Sequence, residues 1–216
     1  MLSFVEEIVL LMLDDEKGNF VAMPLSSVNT VIAGAALMDL ALHNRIDTDL
    51  EKLVVTDKTP TGDDILDDVL ARLAEATEPL TVSLAIESIT AYTDPYQQRA
   101  LARLIGRGIL REENGRFLWV FHTRRYPVVD DTEEREVKAR LRQLVLTDEI
   151  PDPRDVVMVC LLNACELFDL VLNSNELDAA MPRIEQLGRM DLIGQAVTKA
   201  VAEIRFIVQH AVTVMH

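Results

Sequence analysis

The chain has 216 residues, 49% of them apolar, with only eight glycines and eight prolines. That composition excludes a disordered or fibrous chain and suffices for a full hydrophobic core. Thirty-six acidic against 21 basic residues leave a net charge of −15, which excludes a general polyanion binder, so any contact with anions must be local.

Glu6 and Glu7 interrupt the first apolar residues and no basic segment precedes them, so no signal peptide is expected. Ser3-Phe4-Val5-Glu6 reads as a capping box. It opens a helix through Ile8, Leu11 and Met12, expected to stop at Gly18 after the acidic turn DDEKG. The charge-free run 18–38 has the length of a membrane span. However, Asn19, Pro24, Ser26, Ser27, Asn29 and Thr30 crowd its first half. A loop and then a buried helix of a soluble chain are expected, capped by Ser26 or Ser27. Ala33, Gly34, Ala35 and Ala36 permit close approach of another helix. Arg45-Ile46-Asp47 and Lys52-Leu53-Val54-Val55 read as short strands.

Thr61 is the expected cap of the next helix, whose apolar stripe is Ile65, Leu66, Val69, Leu70 and Leu73. Its other face carries Asp63, Asp64, Asp67 and Asp68, expected to be solvated. After Pro79, TVSLAIESITAY predicts a further helix. Asp94-Pro95 then opens a basic one, with Pro95 at its first position and Arg99, Arg103 and Arg107 on one face. Gly108 ends it. GILR and GRFLWVF read as two strands joined by the turn EENG, a hairpin at about 108–121 with the chain's one tryptophan, Trp119, on its second strand. His122-Thr123-Arg124-Arg125 extends the positive surface. Residues 99–125 hold seven basic and two acidic residues, while the remainder holds 14 basic and 34 acidic, a balance of −20.

EEREVKARLRQLVL predicts a helix with a solvated Glu/Arg face. Asp152-Pro153 starts VVMVCLLNACELFDLVL, apolar nearly all round and so expected to be the central core helix. Its Cys160 and Cys165 lie without metal-ligand company and are expected to be buried and reduced, as in a cytoplasmic protein. Asn175 and Asp191 open the last two predicted helices. No composition break divides the chain. The fold expected is mainly α: a single helical domain over residues 1–216, built around a central apolar helix bundle with an inserted β-hairpin.

No catalytic set emerges. His43, His122, His210 and His216 are scattered, and no Ser or Cys sits in a nucleophile motif. Asp14, Asp15 and Glu16 lack the alternating spacing of a calcium loop, and Pro60 to Asp63 lacks the glycines and lysine of a phosphate loop. No enzyme, metal or cofactor is expected. Arg99, Arg103, Arg107, Trp119, Arg124 and Arg125 are the candidate anion-contacting residues. For the three helix arginines the competing reading is a face that answers the protein's own acidic surface. Phe117, Trp119 and Phe121 are expected on one side of their strand, packed on the body.

LSFVEEIVLLMLDDEKG, AALMDLALHNRI, TPTGDDILDDVL, LIGRGILREENGRFLWVF with TRRYP, and LRQLVLTDEIPDPRDVV follow one another in an order and spacing that covers nearly the whole chain. Together they resemble the Golgi phosphoprotein 3 family, peripheral membrane proteins that recognise phosphatidylinositol 4-phosphate. The resemblance implies a helical fold with a protruding hairpin, a basic head-group pocket beside it, apolar hairpin residues at the bilayer, and homo-oligomers. Without gaps, the family's head-group tryptophan falls on Pro24, its arginine within the second helix on Ala33, and its two basic-helix arginines on Asp94 and Gln97. All four ligands are thus substituted, and an alignment anchored on Tyr96 moves one arginine onto Arg99 only by deleting more than a helical turn. The arginine-rich N-terminal extension by which the family contacts the vesicle coat is expected to be missing, because the capping box begins at residue 3. A prokaryotic member is expected.

The function this implies is a non-enzymatic peripheral membrane or adaptor protein, cytoplasmic or on the inner membrane face. It would contact an anionic phospholipid surface through the basic helix and hairpin, its protein partner unidentified. Two other classes compete. A helix followed by a two-stranded wing also reads as a winged-helix nucleic-acid binder, opposed by the charge of −15. The third is an oligomeric interaction scaffold that binds no lipid.

Overall fold

In the computed structural model the chain is described over residues 2–14, 18–49, 51–117, 121–190 and 195–200. Helix α1 (Phe4–Leu11) starts as expected: the Ser3 hydroxyl accepts from the Glu6 N–H at 3.2 Å and the Glu6 carboxylate from the Ser3 N–H at 2.8 Å. Every residue of α1 is buried, both glutamates included. The helix ends well before Gly18, because Leu13 pairs with Phe20 in an antiparallel bridge that turns the chain back. Asp15 and Glu16 lie outside the described residues.

Helix α2 (Leu25–Leu42) takes Pro24 as its N-cap. Neither serine caps it; both already lie in its first turn, where the Ser26 carbonyl accepts the Thr30 hydroxyl at 2.8 Å. The helix is long and apolar enough to cross a membrane, yet 72% of that stretch is buried within this fold. It is the hub, touching α1 and the helices that span Asp64–Ala74, Val82–Thr90, Thr93–Gly106 and Pro153–Ala164. Gly34 has a packing role: a Cβ there would lie 2.7 Å from a Leu161 methyl. The small residues do bring two helices together.

Strands β1 (Ile46–Thr48), β2 (Lys52–Val55) and β3 (Leu80–Thr81) form an antiparallel sheet in the order β1-β2-β3, with Ile46 opposite Val55 and Leu53 opposite Leu80. Helix α3 (Asp64–Ala74) is capped by Asp63, not Thr61. Asp63 immediately precedes the helix in extended backbone, so its carboxylate reaches the Ile65 and Leu66 N–H groups at 2.9 and 3.1 Å. Thr61 instead donates its N–H and hydroxyl to Asp67 at 2.6 and 2.8 Å. Helix α4 (Val82–Thr90) is capped by Thr81, and α5 (Thr93–Gly106) starts before Asp94, which leaves Pro95 inside the first turn.

The hairpin is displaced from the expected position. Strands β4 (Glu113–Phe117) and β5 (Phe121–Arg125) pair with Glu113 opposite Arg125 and Phe117 opposite Phe121. The pairing thus spans 113–125, and Glu113, Asn114 and Gly115 run in a strand instead of forming the turn. Burial decides this. Ile109 and Leu110, expected in the first strand, are drawn into the core, where Leu110 bridges Val128.

Helix α6 (Thr132–Leu146) follows, then α7 (Pro153–Ala164) with Asp152 as N-cap and Pro153 at its first position. The long apolar helix expected over 156–172 breaks: Glu166 takes a φ of +57° and a 3₁₀ turn (Phe168–Leu170) follows. Cys160 and Cys165 are both buried. Helix α8 (Ser174–Leu187) carries a second capping box, from Asn173 and Glu176, and residues 195–200 are helical.

Candidate functional site

The arginines of α5 are placed by α5 itself, whose Tyr96, Ala100, Leu101 and Leu104 are buried. The stripe beside those residues faces α3 and α1. Arg103 forms ion pairs with Asp63, at 2.6 and 3.0 Å, and with Asp64. Arg99 donates to the Asp64 carbonyl at 3.1 Å and lies 3.5 Å from its carboxylate. Arg107 lies 3.4 Å from the buried Glu6 of α1. One turn further along, the Tyr96 hydroxyl donates to Asp68 at 2.9 Å and accepts from Arg72 at 3.1 Å, while Arg72 stacks over Tyr92. The acidic face of α3, expected to be solvated, is therefore the partner of the basic face of α5.

These contacts set the ionisation states. Hydrogen bonding to Asp63 holds the Arg103 guanidinium above its ordinary range, against the opposing effect of burial. Burial would raise the Asp63 carboxyl, but Arg103 and the Leu66 and Ile65 N–H groups outweigh it and hold that carboxyl below its ordinary value. Burial and the Asp68 hydrogen bond push Tyr96 up to about 12.

The hairpin cations are differently placed. Arg111 and Arg124 are 64% and 62% exposed and pair with the neighbouring Glu113 and Glu112, at 2.8 and 3.6 Å. Arg125 is exposed as well. Below them the hairpin root is fixed by backbone. Tyr126 N–H donates to the Gly18 carbonyl at 2.7 Å, Arg111 N–H to Pro127 at 3.1 Å and Val129 N–H to Ile109 at 2.8 Å. Gly18 lies at φ +63°, and a Cβ on it would sit 2.4 Å from the Pro127 nitrogen. Phe20 meets Tyr126 edge to face at 6.4 Å. Trp119 lies outside the described residues.

The four positions where the resemblance puts head-group ligands do not converge on a cation. Pro24 is exposed at the start of α2, Ala33 is fully buried in the core, Asp94 is exposed in the first turn of α5, and Gln97 is half-buried. Among the described residues no group of three or more His, Cys, Asp or Glu could hold a metal ion.

A second charged cluster went unread in the sequence. Arg154 of α7 lies 3.4 Å from both Asp39 and Glu7, donates to the Leu2 carbonyl at 2.8 Å and covers the Phe4 ring at 4.0 Å. Arg140 of α6 bridges Glu7 at 3.3 Å and Asp155 at 2.5 Å. Asp39 also accepts the Phe4 N–H at 2.7 Å. Burial raises the Asp39 carboxyl to about 6, against the Phe4 N–H and Arg154, and raises Glu7 and Asp155 too. The cluster joins α1, α2, α6 and α7. Its sequence signal was polar residues at core-facing positions of apolar helices.

The sequence profile described as Golgi phosphoprotein 3 (GPP34) matches residues 4–204. Vacuolar protein sorting-associated protein 74 of Eremothecium gossypii is 23% identical over 224 aligned positions, which cover 86% of this chain and 67% of that protein.

Proposed function

Because the chain belongs to the Golgi phosphoprotein 3 family, we propose that it is a peripheral membrane adaptor without catalytic activity. It docks on anionic lipid from the cytoplasmic side through its hairpin. The observation that carries this reading is the base of the hairpin: Arg111, Arg124 and Arg125 are exposed where the two strands leave a root pinned by backbone hydrogen bonds. Exposed guanidiniums on a fixed support give an electrostatic contact, each worth about 1 kcal/mol near an anionic surface. Trp119 supplies apolar insertion in this proposal.

With Pro24, Ala33, Asp94 and Gln97 at the family's pocket positions, binding follows surface charge in preference to head-group identity. Vesicles of phosphatidylinositol 4-phosphate and of cardiolipin, matched in charge, should therefore co-sediment the protein equally, and neutral vesicles should not. Arg124→Glu with Arg125→Glu should abolish binding, with at most about 1 kcal/mol of stability lost to the like charges this sets against Glu112 and Glu113. Binding that survives this charge reversal refutes the hairpin contact, and a clear preference for phosphatidylinositol 4-phosphate refutes the charge-only reading. If the hairpin serves self-association instead, shortening it dissociates oligomers while vesicles never pull the protein down. For a winged-helix reading, the arginine face of α5 would have to reach DNA, yet it is turned onto α3 and α1.

A further inference from the structure

We infer that Asp64 is a built-in occupant of an anion site on α5, holding Arg99 and Arg103 until a phosphoryl group displaces it. The inference rests on the membrane-contact reading above and concerns how the helix half of that surface is regulated.

Three observations single out this one carboxylate. Asp63 cannot leave: it is bound by Arg103 through both oxygens, and it caps α3 through two N–H groups. Asp67 cannot leave either, because it holds the Thr61 N–H and hydroxyl and the Gly62 N–H. Asp64 is 62% exposed, and its carboxylate meets both arginines at once. If it swings out, Arg99 stays tethered to the Asp64 backbone carbonyl and Arg103 to Asp63. Two guanidiniums then remain side by side with donors pointing at the space the carboxylate left.

The competition favours the incoming ligand. An exposed ion pair contributes about 0.2–1 kcal/mol, whereas a phosphoryl group brings about −1.5 to −2 charges and three acceptor oxygens suited to guanidinium forks. A carboxylate is strong enough to keep the site closed to chloride and weak enough to yield to phosphate concentrated at a surface. The pairing of α3 with α5 thus acts as an autoinhibitory contact. Only the part of the helix charge that Asp64 neutralises is held in reserve; Arg103 still holds Asp63, and Arg107 still meets Glu6.

The test compares the full chain with Asp64→Asn, which keeps size and removes the charge, and with Glu185→Gln, which makes the same charge change on the exposed side of α8. Two probes are used: phosphatidylcholine vesicles doped with phosphatidic acid, and free inorganic pyrophosphate. Asp64→Asn should bind the vesicles about two- to thirty-fold more tightly than wild type, the factor expected from removing its two exposed pairs, with Arg99 and with Arg103, while Glu185→Gln moves affinity by less. A matching gain on pyrophosphate identifies a soluble phosphoryl ligand as a further source, and a gain on vesicles alone identifies a lipid head group; either supports the inference. If Asp64→Asn binds neither probe more tightly than Glu185→Gln, Asp64 masks nothing and the inference falls. The hairpin reading then still stands or falls separately, on the Arg124→Glu, Arg125→Glu variant.

Discussion

Arg154→Met is the substitution with the most to say about how this fold is held. The guanidinium is mostly buried, and it is shared by Asp39 and Glu7, each 3.4 Å away and almost wholly inaccessible, and by the Leu2 carbonyl. Methionine keeps the length and apolar stem that cover Phe4, so the change removes the cation and little packing. Two buried carboxylates then lose a counter-charge, and removing one partner of a buried pair costs about 3–5 kcal/mol. The pH dependence separates this cause from a packing defect. The folded Asp39 carboxyl titrates at about 6, above its ordinary 3.8, so between those values the folded state binds protons that the unfolded state does not. A group of that kind stabilises the fold progressively as pH falls from above 6 toward 3.8. Arg154 is among the influences that lower both Asp39 and Glu7. Without it both carboxyls rise further, and the folded variant takes up protons at higher pH than wild type does. Urea unfolding followed by far-ultraviolet circular dichroism at about pH 7.5 and about pH 5.5 measures the deficit in each condition. It should be large at the higher value and distinctly smaller at the lower one, at about 1.4 kcal/mol per unit of pKa difference. A deficit under about 1 kcal/mol, or one equal at both pH values, refutes the account of Arg154 as counter-ion to buried carboxylates.

Two further outcomes test the hairpin root and the joint between α3 and α5. Gly18→Ala places a methyl 2.4 Å from the Pro127 nitrogen at a φ of +63°. It should therefore destabilise by more than about 1 kcal/mol and speed hydrogen exchange at Tyr126 N–H, whose acceptor is Gly18; unchanged exchange there would show that the root does not depend on this approach. Asp63→Ala removes a helix cap, worth about 1 kcal/mol, together with the Arg103 partner. Because the folded Asp63 carboxyl lies below its ordinary value, its stabilisation is present above about pH 4 and lost as pH falls through the lower folded value. The variant and wild type should therefore converge in stability as the solution is made acid, and a deficit equal at neutral pH and at the most acid pH where both still fold would exclude the charge from the effect.

Much of the architecture follows from local chemistry. The Ser3–Glu6 capping box, the Asp152-Pro153 start and the stripe from Ile65 to Leu73 lie where their spacing puts them. Each of these signals is complete within a few residues. The misplaced features each turn on a distant partner. Gly18 reads as a helix stop until Tyr126 and Pro127 are beside it. Ile109 and Leu110 read as strand until the core claims them, and the hairpin slides toward its C-terminal side to compensate. The Glu/Arg pattern of α6 reads as a solvated face, yet Glu134 is buried against Lys138 at 2.5 Å and Arg140 reaches across to Glu7 and Asp155. A sequence shows charge and period; it does not show which opposite charge arrives from another helix.

That distinction bears on the positive island. Its seven basic residues looked like one surface because they are continuous in sequence. In three dimensions they divide at Gly108, where a φ of +77° ends α5 and redirects the chain. On the helix side, Arg99, Arg103 and Arg107 meet Asp64, Asp63 and Glu6, so their field is cancelled within a few ångströms. On the hairpin side, Arg111 and Arg124 pair with the exposed Glu113 and Glu112, in contacts that water and salt largely screen. In the proposed membrane contact, an anionic surface would therefore meet the hairpin charges first. In the inference drawn from Asp64, the helix arginines would add to that attraction only where the surface brings enough phosphate to displace the carboxylate already in place. On the proposed reading, a chain of net charge −15 would meet an anionic membrane through a small contact and still avoid indiscriminate binding to other polyanions.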